Sequence, residues 1–251
     1  MVIFPIVEEQ NHSKSPVPIW KAIEEAQGLN TTDYWLITQP AHAALAGELA
    51  ASLRDGLFGP IDATVSRSIA LHDSGWSMDD AEQIQRLRSN PKLRPNGFLE
   101  ASLEQALRAW TGSIETVEKF APIGGYLVSR HFGRLSRRDS HESRAKLESF
   151  QKREAQRQER LRAKIKRDPA ALELLVDALQ FCDVLSLYLC CGSTCTVEIG
   201  DQKITISRNG GDYKLAPSPF KAPCQFAFSA LRHPARGGQK ANSGATFYIN
   251  L

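Results

Sequence analysis

The sequence predicts a mainly α-helical protein with a small antiparallel β section at its C-terminal end. Three observations carry that reading. Apolar stripes at spacings of three and four recur in several segments before residue 191. Residues 170–191 are apolar on most sides, which places that helix at the centre of the core. After Gly192 the pattern changes to short β-type runs (CTVEIG, KITISR, DYKLAP, CQFAFSALR and ATFYINL) separated by Gly, Asn and Pro. The expected division is a helical unit over residues 1–191, with short strands near its start, and a β section over 192–251 packed on it.

Taken in order, VIFPI and DYWLIT read as short strands. A helix starts near Pro40 with Thr38 as its cap. Its stripe runs Leu45, Ala46, Leu49 and Leu53, and extended backwards it reaches His42. A second helix over 62–71, capped near Pro60 to Asp62, delivers His72 and Asp73 at its C-terminal end. The segment SMDDAEQIQRLRSNPKLRPNG reads largely as loop, from its Pro, Asn and Gly content, around a short helical AEQIQRL that Asp79 and Asp80 would cap. Residues 99–110 and 114–120 are helix-like. Gly124 and Gly125 are expected to break the chain before YLVSRHFGRL. Residues 142–166 form a charged helix with a thin stripe of Leu147, Phe150, Leu161 and Ile165, interrupted by Glu154 and Gln158. Asp168 and Pro169 then serve as cap and first turn of the apolar helix.

With 251 residues, 42% hydrophobic, the chain can bury a substantial core as one large domain or one domain with an appendage. The opening MVIFPIVEEQ turns acidic too soon for a secretory signal. Glu173, Asp177 and Asp183 argue against a membrane span in the apolar segment. The five cysteines are odd in number and lack paired CxxC spacing, so they read as small buried hydrophobes in a reducing compartment, the cytoplasm. From residue 130 to 168 there are fourteen Lys/Arg against six Asp/Glu, whereas the whole chain carries only +3. That stretch reads as a solvated helix laced with ion pairs rather than a nucleic-acid surface, although it could also draw in an anionic substrate. Self-association is left open.

Three helices carry a polar, metal-competent residue where a hydrophobe is expected. His42 heads its stripe. His131 lies with Leu127, Val128, Phe132 and Leu135. Asp183 lies on the row Leu175, Val176 and Leu179, followed by Ser186 and Leu187. A buried, ionised, unpaired carboxylate costs several kcal/mol, so Asp183 needs a partner. The stretch SIALHDSGW adds the adjacent pair His72 and Asp73. Each residue alone is more often a satisfied core histidine or a helix cap. Together, three imidazoles and two carboxylates match the N/O ligand preference of catalytic first-row metals. Neighbouring helix residues point about 100° apart, so His72 and Asp73 share an ion only off a helix end, where this pair falls.

The order His, then His-Asp about thirty residues on, then a late Asp on an apolar helix resembles the HD-domain superfamily of metal-dependent phosphohydrolases. The residues that carry the resemblance are His42 in QPAHAALAGELA, His72 and Asp73 in ALHDSGW, and Asp183 in FCDVLSLYLC. WLITQPAHAALAGELA, HDSGW and FCDVLSLYLC also look like an uncharacterised bacterial family of unknown function. The resemblance covers residues 34–191 and implies an HD-like helical core. The Ser-Gly-Trp after His72 and Asp73 lacks the Lys often found after this pair in signalling HD enzymes, which weakens a cyclic-dinucleotide reading.

The resemblance implies a phosphomonoesterase or phosphodiesterase acting on a small anionic phosphate-containing substrate. His42, His72, Asp73 and Asp183 would hold a divalent ion, one of Mn, Fe, Zn, Ni or Mg. His131 would act in catalysis through a second ion, the phosphate or the leaving oxygen, and Arg130 and Arg134 would neutralise phosphoryl charge. Two alternatives stand beside it: a non-catalytic metal- or ligand-binding regulatory protein, and di-iron oxygenase-like chemistry. Asp79 and Asp80 could assist a second metal instead of capping, and Trp76 could stack on a substrate ring instead of anchoring a loop.

Overall fold

Strands from both ends of the chain form one mixed sheet. The computed structural model describes residues 1–6, 15–137, 144–199, 203–209, 212–234 and 244–251. Near the start lie β1 (Val2–Pro5), β2 (Val17–Pro18) and β3 (Tyr34–Ile37). After residue 196 come β4 (Val197–Ile199), β5 (Ile204–Asn209), β6 (Asp212–Ala216), β7 (Gln225–His233) and β8 (Gly244–Asn250). The order across the sheet is β1-β3-β7-β8-β6-β5-β4-β2. Most neighbours are antiparallel, but β2 pairs β4, and β6 pairs β8, in parallel.

The expectation of a mainly α core with a small C-terminal antiparallel β section is therefore corrected. The fold is α+β, with an eight-stranded mixed sheet among the described residues. Short strands leave backbone groups unpaired until a neighbour arrives, and here the neighbour is distant in sequence. Tyr34 of β3 pairs with His233 of β7, and Val17 of β2 with Val197 of β4.

The helices are α1 (Ile19–Gly28), α2 (Gln39–Ser52), α3 (Ala63–Ala70), α4 (Ser77–Ser89), α5 (Leu103–Phe120), α6 (Pro122–Leu135), α7 (Arg144–Arg162) and α8 (Pro169–Cys191). The main core runs from Val2 and Ile37 of the sheet through α2 and α8 to Val117 of α5. A second cluster joins Ile3, Tyr34 and Leu36 to Leu87 of α4. β1 and β3 are thus covered on both faces, which explains why their sequence is continuously apolar rather than alternating.

Helix α8 packs on α1, α2, α6 and β1. By length and composition it could cross a membrane, but most of it is buried inside this fold. The Asp168 side chain accepts from the N–H groups of Ala170 and Ala171 at its start. Gly192 ends it at φ +69°, a left-handed cap that favours glycine. A Cβ at that position would also run into the ring of Phe4, so the same residue lets β1 lie against the end of α8. The other caps follow the sequence: Thr38 accepts from Ala41 N–H, and Asp62 from Val65 N–H.

Three segments differ from expectation. Ser77–Ser89 is a helix, not largely loop. Asp79 and Asp80 sit inside its first turn, where negative charge suits the helix dipole, rather than at its cap. Leu103–Phe120 is continuous, opened by a reciprocal Ser102–Gln105 capping box. Gly124 and Gly125 do not break the chain; they lie inside α6. A Cβ on Gly124 would meet Cγ1 of Val117 at 2.6 Å and the hydroxyl of Ser68, and one on Gly125 would meet Cβ of Glu118 at 2.7 Å. Both glycines permit helices to approach closely.

The charged helix is described from Arg144 onward, and its expected start at Glu142 lies outside the described residues. Its Glu154, fully buried, accepts from the Ser129 hydroxyl at 3.0 Å. Arg157 and Arg160 reach Glu118 of α5 at 2.6 and 2.7 Å. None of the five cysteines is in a disulfide, and Cys182, Cys190 and Cys191 are buried.

Candidate metal centre

Four elements bring five polar side chains to one buried place. His42 sits one turn into α2, whose first residue is anchored by the Gln39 N–H donating to Asp80 at 2.6 Å. His72 and Asp73 lie in the turn just past α3, where the chain leaves the helix for a short 3₁₀ turn (Ser74–Trp76). His131 comes from α6 and Asp183 from the middle of α8. All five are at most 7% exposed.

Their atoms converge. Nε2 of His42 lies 2.9 Å from Oδ2 of Asp73, and Nε2 of His72 lies 3.2 Å from Oδ1 of Asp183 and 3.7 Å from Oδ2 of Asp73. Nε2 of His131 is 3.5 Å from Oδ2 of Asp183. The His72 ring stands edge-on to both other imidazoles, with centroids 5.3 Å from His42 and 5.6 Å from His131. Two groups, His42-His72-Asp73 and His72-His131-Asp183, each have ligand atoms within 4.8 Å of one another, and each could hold a metal ion.

Two of the imidazoles have their tautomers set from behind. Nδ1 of His72 faces the carbonyl of Ile69 at 2.8 Å; a carbonyl only accepts, so Nδ1 carries the proton. The Ser186 hydroxyl donates to the carbonyl of Asp183 at 2.8 Å, so it accepts from Nδ1 of His42 at 3.1 Å. Nε2 of each ring is left facing carboxylate oxygens. Two sets of lone pairs so placed repel unless a cation, either a proton or a metal ion, stands between them.

The electrostatics follow. Burial opposes charge on His72, but Asp73 and Asp183 outweigh it and push its pKa up to about 9. Burial drives His131 down to about 4, against the pull of Asp183. Burial would raise Asp183, but the hydrogen bond and charge of His72 overcome it and hold the carboxyl at about 2. His131 is therefore neutral near pH 7, and neither of its nitrogens has a hydrogen-bond partner among the described residues. A buried imidazole with two orphaned nitrogens is expensive, and a ligand role would satisfy one of them.

The cluster opens into a cavity of about 550 Å³. Asp73, His131 and Asp183 line one part of it, and Trp20, Trp76, Phe98, Trp110 and Phe132 line much of the rest. The structure does not bring Arg130 and Arg134 to this cavity. Arg130 binds Glu173 at 2.6 and 2.9 Å; Arg134 binds Glu173 at 2.8 Å and Asp177 at 2.6 Å. Asp79 pairs with Arg108, and Asp80 is taken by Gln39. Sequence reasoning noted Ser186 on the row of Asp183 but gave it no role; its signal was a hydroxyl on an apolar stripe. Trp20, Phe98 and Trp110 carried no local signal, because only tertiary packing turns them to the cluster.

Residues 28–231 match the family described as a protein of unknown function, DUF3891, and the chain belongs to that family. The match is to this family and not to the HD-domain superfamily. It contains all five cluster residues. Comparison with curated proteins and with solved structures finds no match.

Proposed function

We propose that this DUF3891 protein is a metal-dependent hydrolase of phosphate esters with an HD-type ligand set. The observation that supports it most is His131: a neutral imidazole, 1% exposed, with neither nitrogen hydrogen-bonded among the described residues, beside two carboxylates and two further imidazoles. His42, His72, Asp73 and Asp183 would hold a divalent ion, and Mn, Fe, Zn, Ni and Mg all suit their N/O character. Such an ion, when bound, would acidify a water and polarise a phosphoryl oxygen.

The chain's own residues would do the rest. Ser186 and the Ile69 carbonyl hold His42 and His72 with their Nε2 lone pairs aimed inward. The aromatic walls would limit bulk water around the reacting group. His131, neutral near pH 7, would bind the phosphate through a ring N–H or ligate a second ion. Because Arg130 and Arg134 are committed to acids on α8, phosphoryl charge is met at the cluster itself.

Elemental analysis of protein purified without chelator tests the premise, paired with turnover of p-nitrophenyl phosphate and bis(p-nitrophenyl) phosphate. Stoichiometric divalent metal and hydrolysis abolished by chelation are expected; a metal-free protein that stays metal-free on reconstitution ends the proposal. A second reading, iron-dependent oxygenase chemistry, draws on the two ligand groups sharing His72 and on the apolar cavity. Oxygen uptake by iron-loaded protein, with no ester hydrolysis, would favour it.

A further inference from the structure

We infer that the cavity selects a phosphate monoester carried on a flat, largely apolar body, and turns away esters whose body bears a second phosphate. The inference rests on the hydrolase reading and names its substrate class.

Charge is the first argument. Beyond the cluster, and among the described residues, the one ionisable side chain lining the cavity is Glu24, which is exposed. Among the described residues, no Lys or Arg lines it. A second phosphate on the substrate body would leave water for an apolar wall without a cationic partner, and would share the cavity with the Glu24 carboxylate. The ester phosphate itself escapes that penalty because the cluster end of the cavity is where a divalent ion would be held.

Shape is the second. Trp110 lies nearly parallel to Phe132, with centroids 5.2 Å apart and planes 16° apart, and Phe150 braces it at 5.8 Å. The indole is a preorganised flat surface, and Trp20 and Trp76 add two more aromatic walls. Such walls reward a planar apolar body. Gln39 supplies the neutral polar group: it lines the cavity, is 3% exposed, and its Oε1 has no hydrogen-bond partner among the described residues. One donor group on the body would satisfy it.

The reaction is hydrolysis. An O–P bond to water forms, the ester P–O bond breaks, and the body leaves as an alcohol after taking a proton. Three alkyl phosphates make the test: 2-phenylethyl phosphate, glycerol 2-phosphate and fructose 1,6-bisphosphate, each with Mn²⁺-loaded full-length protein. The phenylethyl ester should exceed glycerol 2-phosphate by about tenfold or more in kcat/KM, the scale set by apolar pocket discrimination, with the bisphosphate slowest. Glu24→Lys, an exposed change that spares the fold, should raise the bisphosphate relative to the phenylethyl ester by about tenfold.

Equal rates for all three esters would overturn the inference and leave the hydrolase reading standing. Absence of turnover with metal bound would overturn the hydrolase reading, and binding then decides the selectivity. Quenching of tryptophan fluorescence by 2-phenylethylphosphonate at about tenfold lower concentration than by methylphosphonate supports it; equal quenching curves overturn it.

Discussion

The hydroxyl of Ser186 lies 3.1 Å from Nδ1 of His42 and gives its own proton, at 2.8 Å, to the carbonyl of Asp183 one turn earlier in α8. One side chain thereby ties the tautomer of an α2 histidine to the helix that carries an acid of the same cluster. Ser186 is a positioning residue. Ser186→Ala should lower divalent-metal affinity by about 10–100-fold, the usual cost of losing an outer-sphere partner. Metal titration measures that loss, and ¹⁵N shifts of His42 should show mixed tautomers. An unchanged tautomer and affinity would return Ser186 to a packing role.

His72 belongs to both ligand groups, and His131 to one. His72→Ala should abolish metal binding. His131→Ala should leave the His42-His72-Asp73 group able to hold an ion while turnover falls. Metal stoichiometry measured beside rate separates the two; equal metal loss in both variants would mean that His131 is a primary ligand.

The metal-free protein should be most stable near pH 6.5. His72 has a folded pKa of about 9 against an ordinary 6.5, so its contribution is full below 6.5 and is lost as pH rises towards 9. His131 is lowered to about 4, so its contribution is present above 6.5 and is lost as pH falls towards 4. Asp183, at about 2, loses its contribution only between its ordinary 3.8 and 2. A metal ion replaces the proton between the imidazoles and carboxylates, so the alkaline decline should disappear in loaded protein. Thermal midpoints across pH 4–10, with and without chelator, check the sign on each side.

Arg130 is half-buried in an ion pair with Glu173 and is not among the residues that line the cavity. Arg130→Gln should leave kcat/KM within about twofold and cost at most about 1 kcal/mol of stability, as exposed ion pairs do. A rate loss of about a hundredfold or more, the size expected for a lost transition-state donor, would restore it to the reaction.

Gly124 lets α6 approach α3 and α5, and so sets His131 against His72. A methyl group there meets Val117 at 2.6 Å and Ser68. Gly124→Ala should cost about 1–3 kcal/mol, the range for overpacking, measured by urea unfolding. Unchanged stability would show that the helix contact is slack.

The sequence by itself determined the local structure and the identity of the cluster. Periods of three and four marked α2 and α8, Thr38, Asp62 and Asp168 marked the starts of α2, α3 and α8, and polar residues on apolar stripes singled out His42, His131 and Asp183. These signals are local, since side-chain periodicity and capping act within one or two turns. Tertiary structure decided what depends on partners far along the chain. It joined β3 to β7 across about two hundred residues, so the short strands became part of an eight-stranded sheet. It turned Gly124 and Gly125 from expected breaks into a close helix contact, and it drew Arg130 and Arg134 to Glu173. It also set three tryptophans from α1, α5 and the Ser74–Trp76 turn around one cavity. Spacing within a segment sets which face a residue takes, but only packing between segments sets what that face meets.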